Sequence, residues 1–322
     1  MKTKLLTCLV ILVGVAVAQQ AGPLLGPLAK MTVHVVDEKG EPVPDATVTI
    51  RFFEDRTNVR KSWSIGKTDK QGNYTAQGRH RDVNLDAAVE KEGYYEGGTD
   101  GVDFKDVVLG KLQPWNPVAE VILRPIVTPV ALYAKRVQTE IPVLDRPCGY
   151  DLEKGDWVAP YGHGMASDFI FTAQREYTSR NDYEVRVQLS FSNPKDGVLK
   201  TSFPKIGKDS AFRWEREAPQ VGYGQPVLLR EAVHGNTFIE SFKEDDAHFF
   251  RVRAAGDSSG ITRGNYGKIS GGLRLYGANS QTCILRFVYY FNPISQDRNL
   301  EWDIKKNLFT GLRREEVPVA PY

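Results

Sequence analysis

Two segments of strict apolar/polar alternation, each interrupted by a four-residue turn running from Asp to Gly, constrain this chain more than anything else in it. Residues 33–50 read VHVVDEKGEPVPDATVTI and residues 67–74 read KTDKQGNY. Successive side chains of a strand point to opposite faces, so a period-2 run buries one face and wets the other. Asp37-Glu38-Lys39-Gly40 and Asp69-Lys70-Gln71-Gly72 break these runs with turn chemistry. Gly accepts the positive φ of a tight turn, and Asp can bond its own backbone two residues on. Both segments therefore predict β-hairpins. Asp37 and Asp69 are accounted for as turn residues, which removes them as a pair of acid/base carboxylates.

Further along, Gly93-Tyr94 sets a glycine before an aromatic, and Val118-Ala119-Glu120-Val121-Ile122-Leu123 supplies an apolar closing strand. With these, residues 31–124 resemble the carboxypeptidase regulatory-like domain, a small prealbumin-like β-sandwich. The resemblance implies an accessory domain of a secreted multidomain protein. Some relatives share the fold with carbohydrate-binding modules, and no particular ligand is implied. Thr99–Trp115 exceeds a minimal domain of this kind and reads as an insertion or loop.

The N-terminus carries the compartment signal. Met1-Lys2-Thr3-Lys4 is a basic head, Leu5–Ala18 is apolar, and Ala16-Val17-Ala18 precedes Gln19. This is the pattern of a secretory signal peptide spanning residues 1–18. The apolar run falls short of the about 20 residues needed to cross a bilayer. Cys8 sits inside that run instead of following it, which argues against a lipidation site. No later stretch reaches membrane-spanning length, so the mature chain is expected to be exported, to the periplasm, the medium or the cell surface. Residues 19–30 are broken by Gly and Pro and read as a flexible lead-in.

Pro125, Pro129 and Pro142 punctuate residues 125–142, which read as a linker or sheet edge because proline lacks a backbone donor. Beyond it, residues 143–303 return to period 2. The clearest run sets Tyr183, Val185, Val187, Leu189 and Phe191 on one face and Glu184, Arg186, Gln188 and Ser190 on the other. Asp168–Ala173, Thr237–Phe242, His248–Ala254, Gly271–Gly277 and Thr282–Phe291 read as further strands. The expected fold class is thus all-β: the N-terminal prealbumin-like sandwich, then a second antiparallel β-sandwich or jelly roll. Residues 304–322 are a polar tail with one helical turn expected near Lys305–Leu308.

Forty-two basic and 40 acidic residues are interspersed, for a net charge of +2. Nothing resembles the clustered basic face that nucleic-acid binding requires. Outside the leader two cysteines remain, Cys148 and Cys283, and an exported chain permits a disulfide between them. Such a bridge would stabilise by roughly 4–5 kcal/mol on the chain-entropy account. Two buried thiols is the equal alternative, since Cys283 opens the apolar stretch CILRFVYYF.

No catalytic motif stands up. Gly256-Asp257-Ser258-Ser259-Gly260 resembles the Gly-Asp-Ser-Gly nucleophile loop of trypsin-like proteases, but Ser259 replaces the glycine that shapes the oxyanion donors. It reads as a turn. No two histidines share a local metal-ligand spacing. Glu244-Asp245-Asp246-Ala247-His248 reads as an acidic turn entering a strand in preference to a Ca²⁺ site. No cofactor is expected. Asn73-Tyr74-Thr75 fits the glycosylation sequon, although Asn73 is already explained by the turn.

Asp156-Trp157-Val158-Ala159-Pro160-Tyr161-Gly162-His163-Gly164 is the most unusual stretch of the second domain. Aromatics beside Gly on a loop can stack on a sugar or hold a peptide, or they can plug the end of a sandwich. Trp157, Tyr161, His163, Trp214 and Tyr223 are the candidate ligand contacts. The expected function is an exported, non-catalytic binding or scaffolding protein taking a glycan, a peptide or another protein surface. The alternative is a secreted hydrolase, which requires His163, Asp168 or His248 to meet in one cleft with a second titratable group. A structural part of a surface assembly is the third reading, and would need exposed sheet edges.

Overall fold

The computed structural model describes residues 25–54, 61–202, 210–224, 226–243, 245–257, 260–277 and 281–318. The predicted leader, residues 1–18, lies outside them, as do Ser258 and Ser259 of the Gly-Asp-Ser string and Glu244 of the acidic turn. The fold is all-β, two sandwiches in series.

In the first sandwich one sheet gathers β1 (Leu28–Asp37), β4 (Asn73–Arg79), β7 (Asp106–Val108), β8 (Lys111–Gln113) and β9 (Val118–Leu123). β1 is central, antiparallel to β4 and parallel to β8 and β9. The facing sheet runs β3 (Lys61–Lys67), β2 (Thr47–Phe53), β5 (Asn84–Glu90), β6 (Gly97–Asp103). Alternation decides what lies between them: Met31, Val33, Val35, Val48, Ile50, Leu85, Val89, Val121 and Leu123 are fully buried. Each such side chain contributes about 1.5–3 kcal/mol by leaving water. The turn chemistry is as the sequence dictates. Asp37 Oδ1 accepts the amides of Lys39 and Glu41 at 2.8 and 2.9 Å, and Asp69 Oδ1 those of Gln71 and Asn73 at 2.9 and 2.8 Å. Gly40 and Gly72 carry φ of 80° and 76°, where a Cβ would be strained. Asn73 of the sequon is half-buried at the start of β4.

The second sandwich begins earlier than expected. Val130–Glu140, assigned to the linker, is β10, an inner strand bonded to β20 (Ile284–Phe291) on one side and β21 (Trp302–Asn307) on the other. Pro129 and Pro142 only bracket it; Val137 faces the core between the sheets, while Leu132 and Ala134 pack on the opposite face with Tyr290 and Trp302. The lead-in is likewise corrected, since β1 starts at Leu28. The tail is corrected too: the helical turn expected near Lys305–Leu308 is the end of strand β21, which lies parallel to β10. A 3₁₀ turn follows instead at Arg314–Glu316.

One sheet of this sandwich runs β15 (Gly197–Ser202), β18 (Asp246–Asp257), β19 (Gly260–Tyr276), β20, β10, β21. The other runs β12 (Asp156–Trp157), β11 (Pro147–Asp151), β13 (Phe169–Ser179), β14 (Asp182–Ser190), β16 (Val227–His234), β17 (Thr237–Glu240). Asp257 and Gly260 pair across the β18–β19 hairpin, so the protease-like string sits at a strand reversal. The core is rich in rings, with Phe169 near Phe250, Phe171 and Phe191 at 5.0, 6.1 and 5.8 Å. Edge-to-face contacts of this kind add about 0.5–1.5 kcal/mol each beyond burial. Cys148 and Cys283 both lie in this core as free thiols, which corrects the disulfide. Burial pushes Cys283 up to about 12 and raises Cys148, so both are held as inert thiols.

A charged junction joins the sandwiches. Glu38, from the first turn, bridges Arg124 at 2.9 Å and Arg216 at 3.0 Å. Arg124 also donates to the Phe212 and Trp214 carbonyls, and Arg216 to that of Pro125. Burial would raise the Glu38 carboxyl, but its two arginines outweigh that and lower it. Glu301 accepts from Tyr95 Oη and from the amides of Val127 and Thr128 at 3.0, 2.9 and 2.8 Å. Tyr95 stacks on Phe212 at 4.9 Å.

Two outcomes follow. Glu38→Ala leaves Arg124 and Arg216 facing each other and is expected to cost about 2 kcal/mol in urea unfolding, less than a fully buried pair would because Glu38 is partly exposed. His248, buried on β18, is held neutral, with burial pulling it down to about 4 against a slight upward pull from Asp246. Its folded value lies below its unfolded one, so its contribution is present above pH 6.5 and lost as pH falls toward 4. Unfolding free energy should drop by about 3 kcal/mol over that window, and His248→Leu should flatten the drop.

Candidate functional site

The aromatic positions favoured by the sequence are mostly inside. Trp157 is 5 % exposed, edge-on to Tyr150 at 5.3 Å, and its Nε1 donates to Thr139 Oγ1 at 3.0 Å. Trp214 is 1 % exposed against Phe249. Tyr223 is half-buried, its hydroxyl donating to the Pro219 carbonyl at 2.7 Å while Arg251 covers its ring. Only Tyr161 and His163 are exposed, with His163 Nδ1 3.2 Å from Asp156 Oδ2. The five candidates thus form no ligand platform: Trp157 and Trp214 plug the structure.

The hydrolase constellation does not assemble either. Both Asp168 oxygens are taken by the Arg253 fork, at 2.7 and 2.9 Å, and Oδ2 also accepts the Leu152 amide at 3.0 Å. Burial raises the Asp168 carboxyl against the pull of Arg253. His248 is buried and His163 stands at the surface. Among the described residues no group of three His, Cys, Asp or Glu could hold a metal ion, and no helix is long and apolar enough to cross a membrane.

The site that does assemble lies on the outer face of the sheet containing β10, β19 and β20. Phe287 and Leu285 of β20, Leu273 and Leu275 of β19 and Val137 of β10 face the core. Their alternate neighbours face outward. Register sets Gln138 beside Arg286 and Arg286 beside Arg274, and in a second row Arg136 beside Val288 and Val288 beside Ser270. Between these rows three residues of β19 stand opposite one of β20, a bulge at Gly271-Gly272. Both glycines have positive φ, 75° and 69°, and a Cβ on Gly272 would also meet Asp246 at 3.2 Å. The bulge bends β19 away from a flat sheet.

The result is a groove of about 700 Å³ lined by Arg136, Arg274, Arg286, Tyr276 and Phe242, with Arg313, Glu315 and Glu316 along one wall. Arg274 lies over the rings of Phe242 and Tyr276 at 4.8 and 5.2 Å, and Arg286 over Tyr276 at 5.0 Å. Guanidinium planes stacked on rings are held with their N–H edges presented outward. Arg286 donates to Gln138 Oε1 at 3.1 Å and to Tyr276 Oη at 3.2 Å. The Arg136 side chain has no hydrogen bond or ion pair among the described residues, and the Glu240 carboxylate stands 3.5 Å from Arg274 Nε. The two glutamates of the wall are engaged elsewhere, Glu315 with Arg313 and Glu316 with both Arg313 and Lys135. Guanidinium groups gathered in this way can donate to several oxyanions at once.

The sequence did carry a trace of it. In ILRFVYYF and GGLRLY an arginine interrupts an apolar strand on its wet face. Nothing in the linear order says that these arginines are neighbours.

No family model and no curated protein matches the chain. Among solved structures, likeness extends to 3-chlorocatechol 1,2-dioxygenase from Rhodococcus opacus 1CP, at 13% identity and a TM-score of 0.25 over 31% of this chain and 61% of that one. A candidate carbohydrate binding protein from Bacteroides uniformis ATCC 8492 is 8% identical, with a TM-score of 0.20 over 84% and 100% of the two chains. Shaft pilin SpaA from Lactobacillus rhamnosus GG is 9% identical, with a TM-score of 0.18 over 72% and 88%. The chain spans about three fifths of the dioxygenase. At such TM-scores the likenesses add nothing to the architecture read from the strands.

The wall of the groove is acid-sensitive. Burial would raise Glu316, but Arg313 and Lys135 hold it down to about 2. Its folded value lies below its unfolded value of 4.5, so the tether holds above pH 4.5 and is lost as pH falls toward 2. Protection of the amides of residues 313–317, measured relative to the intrinsic exchange rate at each pH, should fall across that window, and Glu316→Gln should show the same loss of protection at pH 7.

Proposed function

We propose that this chain is an exported, non-catalytic binding protein that takes an acidic glycan in the arginine groove of its second sandwich. The first sandwich serves as an accessory domain, in keeping with its motif resemblance to carboxypeptidase regulatory-like domains. The leader-like residues 1–18 support export.

One observation carries the reading: Arg136, Arg274 and Arg286 share one open sheet face, and among the described residues only Arg274 of the three is within 4 Å of a carboxylate. Clustered guanidinium groups repel one another and gain by sharing an anion. A neutral sugar is disfavoured because Arg274 and Arg286 already cover the Tyr276 and Phe242 rings on which it would stack. Gln138, Ser270 and the Tyr276 hydroxyl supply partners for hydroxyl groups between the acidic ones.

The test is titration of the leader-free chain with polygalacturonate, a sulfated glycan, neutral galactan and poly-glutamate. Polygalacturonate or the sulfated glycan should bind, weakening as salt rises, and neutral galactan should not. The double variant Arg136→Ala/Arg286→Ala should bind at least tenfold more weakly with an unchanged melting temperature, since neither side chain supports the core. Binding of poly-glutamate alone, or binding untouched by the double variant, would overturn the reading.

A further inference from the structure

The β7–β8 hairpin departs from two local rules at once, in the residue at its turn and in the apolar side chains it exposes. Val108 pairs with Lys111, so Leu109-Gly110 is a two-residue reversal. Both residues have positive φ, 48° and 73°, the conformation for which Asn-Gly is the ordinary choice. A leucine there is strained by its Cβ and branched side chain. Yet Leu109 is 96 % exposed, the most exposed large apolar residue among the described residues, and Val107 and Val108 beside it are 57 % and 53 % exposed. The base of the hairpin is anchored: Leu112 is buried in the first core, and the Gly110 carbonyl accepts the Leu28 amide at 2.8 Å. An apolar spike of this kind is held out to water on a firm support.

The surroundings say what it meets. Lys105 and Lys111 flank the tip, with Asp106 the one acidic residue between them. Lys111 lies 4.9 Å over the ring of Trp115, a half-buried side chain of the type that sits at a lipid interface. The Leu28–Gly110 bond ties the start of the first strand to this tip. The geometry points to a lipid surface as the partner of the hairpin: Val107, Val108 and Leu109 insert into the headgroup boundary, with Lys105 and Lys111 on the phosphates. Three small apolar side chains and two cations make a weak, reversible attachment that needs no cofactor. It would hold the first sandwich against the membrane after the leader is cut, and it is independent of the arginine groove.

The experiment is sedimentation of the leader-free chain with phosphatidylcholine vesicles and with vesicles that also contain phosphatidylglycerol. Sedimentation is expected with both and more with the second. Leu109→Asn suits the left-handed turn, so its melting temperature should equal or exceed that of the parent while its vesicle-bound fraction falls at least fivefold. The proposal fails if the parent does not sediment with either vesicle, as a protein-binding spike would not, or if Leu109→Asn sediments equally well. It fails also if sedimentation is lost in Arg136→Ala/Arg286→Ala, which would place the lipid contact in the groove.

Discussion

The Glu38 carboxylate, held between Arg124 and Arg216, is the interaction on which the arrangement of this protein depends. Its three members come from the first turn, the end of the first sandwich and a loop of the second. Arg124 reaches on to the carbonyls of Phe212 and Trp214, which places that loop over β18 and β19. Under it lies Lys268, fully buried, with Phe212, Trp214 and Tyr290 at 4.8, 5.4 and 4.9 Å from its ammonium nitrogen and the Leu300 carbonyl accepting at 3.1 Å. Burial drives the Lys268 pKa well down, with Arg124 adding to the effect. A lysine is tolerated there because rings and a carbonyl replace part of the water it has lost.

That junction also explains why the groove lies where it does. β10, β19 and β20 present one continuous outer face, with Lys268, Tyr290 and Ala134 at one end and Arg274, Arg286 and Gln138 at the other. The first end is roofed by the loop of residues 210–218 and by Trp302, which packs on Tyr290 at 4.9 Å. The second is left open. Cations of one strand face meet different surroundings: desolvation drives the pKa of the roofed Lys268 down, and the open arginines stand accessible to anions. The Gly271-Gly272 bulge, beside Ser270, separates the two regimes.

Local rules were legible wherever one residue type solves one local problem. Asp37 and Asp69 bond the amides that turn chemistry demands of them, and Tyr183, Val185, Val187 and Leu189 face the core as their alternation requires. Legibility failed where a residue type has two uses. Trp157 and Trp214 are plugs, but a loop tryptophan beside glycine reads the same whether its ring covers a core or a ligand. Prolines 129 and 142 concealed β10, because proline marks a strand's limits as readily as a linker. The Thr99–Trp115 stretch concealed a hairpin whose Leu-Gly turn lacks the usual signal.

The sequence alone determined an all-β chain in two parts, its first hairpins, and the alternation that separates core from surface, since these depend on neighbours one to four residues apart. Tertiary structure decided the rest. Arg136 on β10 and Arg274 and Arg286 on β19 and β20 became one site only when β20 took its place between the other two strands. Strand order is set by how whole faces pack and not by any local residue, and so the chemistry of this groove is written across the fold.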